Sequence, residues 1–315
     1  MIGAYAAKNR DDAVRLSSSS GGLFPALCKW AISEGGVVYG ACFDTMMQVV
    51  HDRAHAAEGC KRFSGAKYVQ SDVGTSYSRV RADLRAGRLV LFSGTPCQVA
   101  GLRSYLAAVE TAGRLVTIDL VCHGVTSPRV WRDHVELVRS RVRGDLVDYR
   151  FRDKSGGWHE SRHRAYTSES TYSDYLVNAY RDIFNGNYAL RPSCNVCPFA
   201  NLDRVGDLTI GDYWGIESHF PEMDDDRGVS IALVNTEVGR DLLNVVGDQL
   251  TYWPVTITQC MQPNLRRPTP SSGRRDGFWR LYQKLGYGAV VRLYTDYGFL
   301  RRNLRRARRA LRGNL

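Results

Sequence analysis

Cys194-Asn195-Val196-Cys197 is followed directly by Pro198. Two thiols two residues apart leave one tight turn in the same direction, and the proline stops the chain from re-entering regular structure. This spacing supplies half of a tetrahedral thiolate site, for zinc or for an iron–sulfur cluster. It also serves as a redox dithiol, so a metal site requires two more cysteines to converge on it.

Cys97 and Cys122 are the candidates. Each ends a short apolar, β-branched run, residues 89–97 (LVLFSGTPC) and 115–122 (LVTIDLVC), which reads as a buried strand of a parallel sheet. Residues 98–109 between them are helix-like, and strand, helix and strand give a right-handed crossover. Both cysteines then lie at the carboxyl edge of one sheet, where ligands bind in open α/β folds. Their expected place in strand-end loops favours metal ligation over service as small buried apolar residues. Cys28, Cys42, Cys60 and Cys260 have no ligand-like neighbours in sequence and are expected to be packing residues.

Other stretches carry chemistry-bearing side chains. Serines 17–20 and Gly21-Gly22 precede an apolar helical pattern, a combination that suits a phosphate or an ordinary N-cap. His123, beside Cys122, is placed to tune a cluster or relay a proton, or is structural. Residues 151–159 (FRDKSGGWH) bring Lys154 together with aromatics and an imidazole, suiting an anionic or planar ligand or a solvated hairpin loop. His123 and Lys154 are the candidate catalytic residues. Asp212 and Trp214 fall on a glycine-flanked loop near the C-x-x-C and are candidates to shape the site.

Six blocks in one order carry a resemblance: residues 18–22 (SSSGG), 38–40 (VYG), 67–71 (KYVQS), 94–98 (GTPCQ), 119–124 (DLVCHG) and 206–215 (GDLTIGDYWG). From about Ser17 to about Asn235 the chain resembles the beta subunit of coenzyme F420 hydrogenase/dehydrogenase, with weaker similarity at Phe278-Trp279. The resemblance implies an iron–sulfur flavoprotein that passes electrons between FAD and a partner. Some members reduce a deazaflavin, a relative reduces a chlorophyll derivative, and others belong to polysaccharide-synthesis systems. It further implies a 4Fe-4S cluster on Cys97, Cys122, Cys194 and Cys197. FAD contacts are implied for Ser18, Ser19, Ser20, Gly21, Gly22, Lys67, Tyr68, Gln70, Ser71 and Gln98. Many relatives carry a ferredoxin-like segment before the Ser-Gly loop. This sequence begins after that point, so a separate ferredoxin or other electron-transfer protein is expected as partner. The substrate is expected to be a deazaflavin coenzyme or a polysaccharide-pathway intermediate. The competing reading is a zinc site of four cysteines in a binding or assembly protein of a polysaccharide-synthesis system.

The whole chain sets bounds. At 315 residues, 43% hydrophobic and 10% aromatic, it is long and apolar enough for a substantial core. The amino terminus shows no signal-peptide core and no apolar run spans a bilayer, so eight cysteines point to a reducing, cytoplasmic setting rather than to disulfides. The net charge of +11 is concentrated at one end: residues 262–315 hold 14 Arg/Lys against 2 Asp, and the rest is near neutral. A neutral body without a nucleic-acid motif argues against nucleic acid as partner.

The expected fold is α/β, a mixed, partly parallel sheet with flanking helices in two modules, plus a basic C-terminal helical tail. The modules are residues 1–110 with the Ser-Gly loop and 111–262 with the cluster cysteines; residues 263–315 are the linker and tail. Residues 172–185 read as one amphipathic helix. In the tail, Leu300, Leu304, Ala307 and Leu311 recur at helical spacing among seven arginines, downstream of Tyr287, Tyr294, Tyr297 and Phe299. That pattern points to an anionic membrane surface as a second partner, with the protein peripheral to its inner face.

Overall fold

Continuous apolar runs form the centre of the molecule. Val90, Leu91 and Phe92 are all fully buried, so this stretch is covered on both faces, as a central parallel strand must be. The structure, a computed structural model, describes residues 1–109, 111, 113–299 and 302–303. Its strands are β1 (Gly3–Asn9), β2 (Val37–Phe43), β3 (Val49–Ala54), β4 (Val90–Gly94), β5 (Leu115–Leu120), β6 (Leu146–Asp153), β7 (Arg162–Thr167), β8 (Thr171–Tyr172), β9 (Leu208–Asp212), β10 (Ser230–Val234) and β11 (Leu250–Pro254). Its helices are α1 (Asp12–Ser17), α2 (Leu23–Ser33), α3 (Ala57–Cys60), α4 (Ser76–Arg85), α5 (Pro96–Tyr105), α6 (Pro128–Arg139), α7 (Ala179–Asn185), α8 (Ile216–His219), α9 (Glu237–Val245) and α10 (Arg275–Tyr294).

Eight strands form one mixed sheet in the order β11-β1-β10-β9-β5-β4-β2-β3. The four central strands β9, β5, β4 and β2 are parallel, and the flanking pairs are antiparallel. The α/β class and the partly parallel sheet are as the sequence led one to expect. This sheet takes strands from both sides of residue 110. One of its faces packs on α4 and α5 through Val80, Leu84, Val99 and Leu102. The other packs on α2 and α9 through Leu23, Leu27, Ala31, Leu242 and Leu243. Thr236 caps α9, its hydroxyl accepting from the Gly239 N–H.

A second, antiparallel sheet, β6-β7-β8, packs with α6, α7 and α10 around Trp131, Tyr149, Phe151 and Tyr180. Three expectations change here. Residues 172–185 are not one helix: Tyr172 is in β8, and the turn after it is held by Asp174, whose carboxylate accepts from the Leu176 and Val177 N–H groups. Only Ala179–Asn185 is helical. Tyr287 and Tyr294 are buried in this core rather than offered to an interface, because α10 packs on α6 and α7. Residues 263–273 do not hang free as a linker, since Leu265 and Thr269 are buried. The stripe Leu300, Leu304, Ala307 and Leu311 lies outside the described residues. Among the described residues no helix is long and apolar enough to cross a membrane.

Candidate functional site

β4 and β5 run side by side in parallel, with Gly94 opposite Asp119. Cys97 and Cys122 therefore emerge at the same sheet edge. Cys97 is not in a loop, however. Thr95 caps α5 in a reciprocal capping box with Gln98, and Pro96 starts the helix, so Cys97 stands exposed in its first turn. Cys122 begins the irregular segment after β5. The third and fourth thiols, Cys194 and Cys197, come from the 3-10 turn Pro192–Val196 and the residue after it.

Several contacts dock that turn on the sheet edge. Arg204, buried, donates to the carbonyls of Phe199 (2.7 Å) and Leu120 (2.9 Å) and pairs with Asp119 at 3.2 Å. It thus ties the chain just after Cys197 to the strand just before Cys122. Thr126 bridges to Val69 on one side and to Leu190 on the other, joining the Lys67 segment, the Cys122 loop and the approach to Cys194. Gly124 is glycine for two reasons. Its φ is +133°, and a Cβ there would stand 3.2 Å from Cβ of Cys194 and from a methyl of Leu190.

The four sulfurs feel one another. Burial first, and then the sulfurs of Cys194, Cys97 and Cys197, push the Cys122 thiol up to about 12 against a hydrogen bond from the Gly124 N–H. Burial also raises Cys194, with Cys97 and Cys197 adding to it and the Val125 N–H opposing. Thr95 Oγ1 lies 3.2 Å from Cys97 Sγ. Burial and the neighbouring sulfurs thus disfavour the thiolate form at Cys122 and Cys194, while a backbone N–H donates to each.

A cavity of about 670 Å³ opens beside this edge. Ser18, Ser19, Ser20, Gly22, Lys67, Tyr68, Ser71, Gln98, Cys122 and His123 line it. Gly21, Gln70, Lys154, Cys97, Cys194 and Cys197 stand outside that lining, so Cys122 is the one sulfur of the four on the cavity wall.

The Ser-Gly loop is bent tightly under the start of α2. At Gly21 a Cβ would come 2.4 Å from the Ala7 carbonyl oxygen, and its N–H donates to Ser230 Oγ. Gly22 has a φ of +80° and no side chain caps α2, so the first-turn N–H groups are available to an anion. Ser18 donates to the Val14 carbonyl and Ser20 to that of Val229. Ser19 accepts from the Ala66 N–H and keeps its own proton for a ligand. Lys67 donates to the carbonyls of Arg62 and Ser64, and burial lowers its pKa to about 8. Residues 67–71 are an irregular segment with isolated bridges rather than an edge strand.

Gln98 leads into a hydrogen-bond chain that sequence reasoning missed. Its Nε2 donates to Ser71 Oγ (2.8 Å), and Ser71 lies 2.8 Å from His51 Nδ1. His51 Nε2 lies 3.0 Å from the Ser93 carbonyl, which can only accept, so the proton is on Nε2 and Ser71 donates to Nδ1. Burial lowers the His51 pKa to about 4, and its ring stacks on Phe92. His123 contacts Asn187 Oδ1 at 2.7 Å and packs against Phe184.

At the other end of the cavity, Arg152 pairs with Asp212 at 2.8 Å and lies over the Trp214 ring, which stacks on Trp158. Arg181 and His159 join the same wall. Lys154 is buried behind it, donating to the carbonyls of Arg15 (2.8 Å), Ser20 (2.6 Å) and Arg227 (2.7 Å), and burial lowers its pKa to about 7. All three ammonium protons are used, so Lys154 grips the Ser-Gly loop and does not face the cavity. Pro263 and Asn264, expected in a linker, also line the cavity, as does the preceding Gln262. No spacing marks them or His51, because each arrives through tertiary packing alone.

Fold and site together define a mixed-sheet α/β protein with four cysteines at one sheet edge beside a cavity. The family model for the C terminus of the coenzyme F420 hydrogenase/dehydrogenase beta subunit matches residues 87–255, and the chain belongs to that family. Among solved structures, the chain is similar to one from the F420-reducing [NiFe] hydrogenase complex of Methanosarcina barkeri, studied as a xenon derivative. The TM-score is 0.56 at 19% identity, over 81% of this chain and 82% of that one. No curated protein matches the sequence.

Proposed function

We propose that this protein is an iron–sulfur flavoprotein oxidoreductase. Cys97, Cys122, Cys194 and Cys197 would hold a 4Fe-4S cluster, and the Ser-Gly loop, Lys67, Tyr68, Ser71 and Gln98 would hold FAD. The observation that carries this reading is the position of Cys122, which is at once a member of the thiol group and part of the wall of the cavity that the Ser-Gly loop enters. When bound, the flavin supplies exchange between one-electron and two-electron steps, and the cluster supplies single electrons.

The chain's own residues set the stage. Ser19 and the free N–H groups of α2 suit a diphosphate. Lys67, with one proton uncommitted, suits the electron-rich edge of an isoalloxazine. Neutral His51 locks Ser71 and Gln98 into one donor arrangement. Tyr68, stacked on Phe184, and Phe151 keep water from the cavity wall. Lys154 acts by positioning, since it holds the Ser20 carbonyl rather than any ligand.

A zinc site is less well supported. Tetrahedral Zn–S bonds of about 2.3 Å place sulfurs roughly 3.8 Å apart. Among the described residues no three of these cysteine sulfurs lie within 4.8 Å of one another. The electron partner is a separate ferredoxin-type protein, and a deazaflavin is the candidate acceptor in the cavity. Anaerobic purification followed by iron, sulfide and flavin analysis tests the reading. Iron with matching sulfide and flavin retained after gel filtration are expected; zinc without sulfide would overturn it.

A further inference from the structure

The longest of the described helices buries only one of its sides. Gly286, at a φ of +76°, breaks α10 into two segments. Both turn an aromatic and β-branched side, Phe278, Tyr282, Tyr287, Val290, Val291 and Tyr294, into the core shared with α6 and α7. The other side faces solvent. In the first segment Arg280 and Lys284, one helical turn apart, are exposed, and Leu285 beside them is 63% exposed. In the second, Arg292 is exposed next to Leu293, which is 56% exposed, and Phe299 just past the helix is 65% exposed.

Single apolar side chains on a surface are ordinary. Here three fall within residues 285–299, and each stands beside a cation. Leu285 follows Lys284, Leu293 follows Arg292, and the Arg302 guanidinium lies 5.9 Å from the Phe299 ring and 4.7 Å from that of Tyr175. From α6, exposed Arg129 reaches over the Tyr282 ring at 5.7 Å and adds its charge alongside α10. Acids do not offset these cations. Residues 277–315 contain ten Arg/Lys and one acid, Asp296, which is half-buried with its backbone N–H donating to the Asp182 carboxylate at 2.8 Å. An acidic protein would be met by the cations alone and would leave the leucines and the phenylalanine unexplained. A bilayer interface uses both: the apolar tips enter the acyl boundary, and the long cationic stems carry their charges up to the phosphates. Because no described helix is long and apolar enough to cross a membrane, such a contact stays at the interface.

We propose that the outer side of α10, through Leu285, Leu293 and Phe299 with Lys284, Arg292 and Arg302, is a docking surface for an anionic lipid bilayer. It differs from a contact made by the arginine-rich terminus alone, since it requires the folded helix and the side chains that the core leaves outside. None of these six residues lines the cavity, so the inference stands apart from the cofactor reading.

The test sediments the full chain with vesicles of phosphatidylcholine alone and of phosphatidylcholine mixed with phosphatidylglycerol. Binding to the anionic vesicles only, weakened by added salt, is expected. Lys284→Glu with Arg292→Glu should weaken that binding on the order of thirtyfold, about fivefold for each cation lost. Leu285→Ser with Leu293→Ser and Phe299→Ser should leave only a contact that moderate salt abolishes. Hydrogen exchange on the unaltered protein reads the same surface without any substitution, so the outcome does not depend on a variant folding. Protection gained across residues 284–299 on adding anionic vesicles is expected. Protection confined to residues beyond 303 would overturn the proposal, as would equal binding to both kinds of vesicle or full binding by the folded charge-reversed variant. Failure to sediment with either vesicle would also overturn it and would point to an acidic protein instead.

Discussion

The eight cysteines divide into two groups of four that the polypeptide treats differently. Cys97, Cys122, Cys194 and Cys197 sit on irregular or helix-starting backbone at a sheet edge and are exposed or half-buried. Cys28, Cys42, Cys60 and Cys260 are all buried, within helices, a strand and the turns that cover them. The first group is held close despite mutual repulsion, by Arg204, Thr126 and a glycine that leaves room for Cys194. The second group does what a small apolar side chain does. Position relative to the sheet edge, more than residue type, separates an accessible thiol from a filler.

The widest separation between the groups should appear in iron content. Cys122→Ser is expected to abolish iron and sulfide, because it removes the one thiol shared by the cluster position and the cavity wall. Cys42→Ser should retain full iron and lose only about 1–3 kcal/mol of stability from burying a new hydroxyl. Metal analysis and urea titration of the two variants measure this directly. Equal iron in both would erase the distinction.

Next in size is the effect of removing the cation behind the Ser-Gly loop. Lys154→Met leaves three buried carbonyls without a donor, at about 1–3 kcal/mol each before relaxation. We expect a loss on the order of 3–5 kcal/mol in stability and weaker flavin retention on gel filtration, with iron unchanged in protein that folds. Flavin retention equal to wild type would show that the loop does not depend on Lys154.

These contrasts also mark how far sequence could reach. The strands leading to Cys97 and Cys122 were legible because both faces are buried and the apolar runs are unbroken. The helix over residues 172–185 was misread, since Asp174 and Asn178 spend their side chains on a turn that periodicity does not register. Lys154 looked catalytic because a lysine in a polar loop is ambiguous until its three carbonyl partners are seen. Residues 263–273, rich in proline and serine, looked like a linker, yet they wrap the site through contacts to residues more than 50 positions away.

Protonation of buried imidazoles gives an intermediate effect. Burial lowers the pKa of His51 to about 4 and of His134 to about 3, and His163 is lowered as well. These folded values lie below the unfolded value of about 6.5. The unfolded chain therefore takes up protons first on acidification. The imidazole contribution should be flat above about pH 6.5 and fall as pH drops through the window down to about 4. At pH 5 each of His51 and His134 should cost on the order of 2 kcal/mol. Urea unfolding of wild type at pH 7.5 and pH 5.0, beside His51→Gln, checks the sign and the share. An undiminished pH dependence in the variant would remove His51 from the account.

The smallest effect expected is at the strap over the sheet-edge group. Thr269 is buried, and its hydroxyl donates to the His123 carbonyl at 2.5 Å while accepting from Asn264 Nδ2 at 2.8 Å. Its own carbonyl accepts from the side chain of Asn195, which lies between Cys194 and Cys197. The strap thus touches the residue after Cys122 and the turn of the C-x-x-C at once. Thr269→Val keeps the shape and the backbone contact to Asn195 but removes the two hydroxyl bonds. The loss should be about 1–2 kcal/mol, since Asn264 and the His123 carbonyl are near enough to the surface to find water. Iron content should match wild type, because no thiol loses its backbone support. Faster loss of iron to a chelator at equal initial loading would show that the strap holds the edge closed, and would move residues 263–270 from cover to working part of the site.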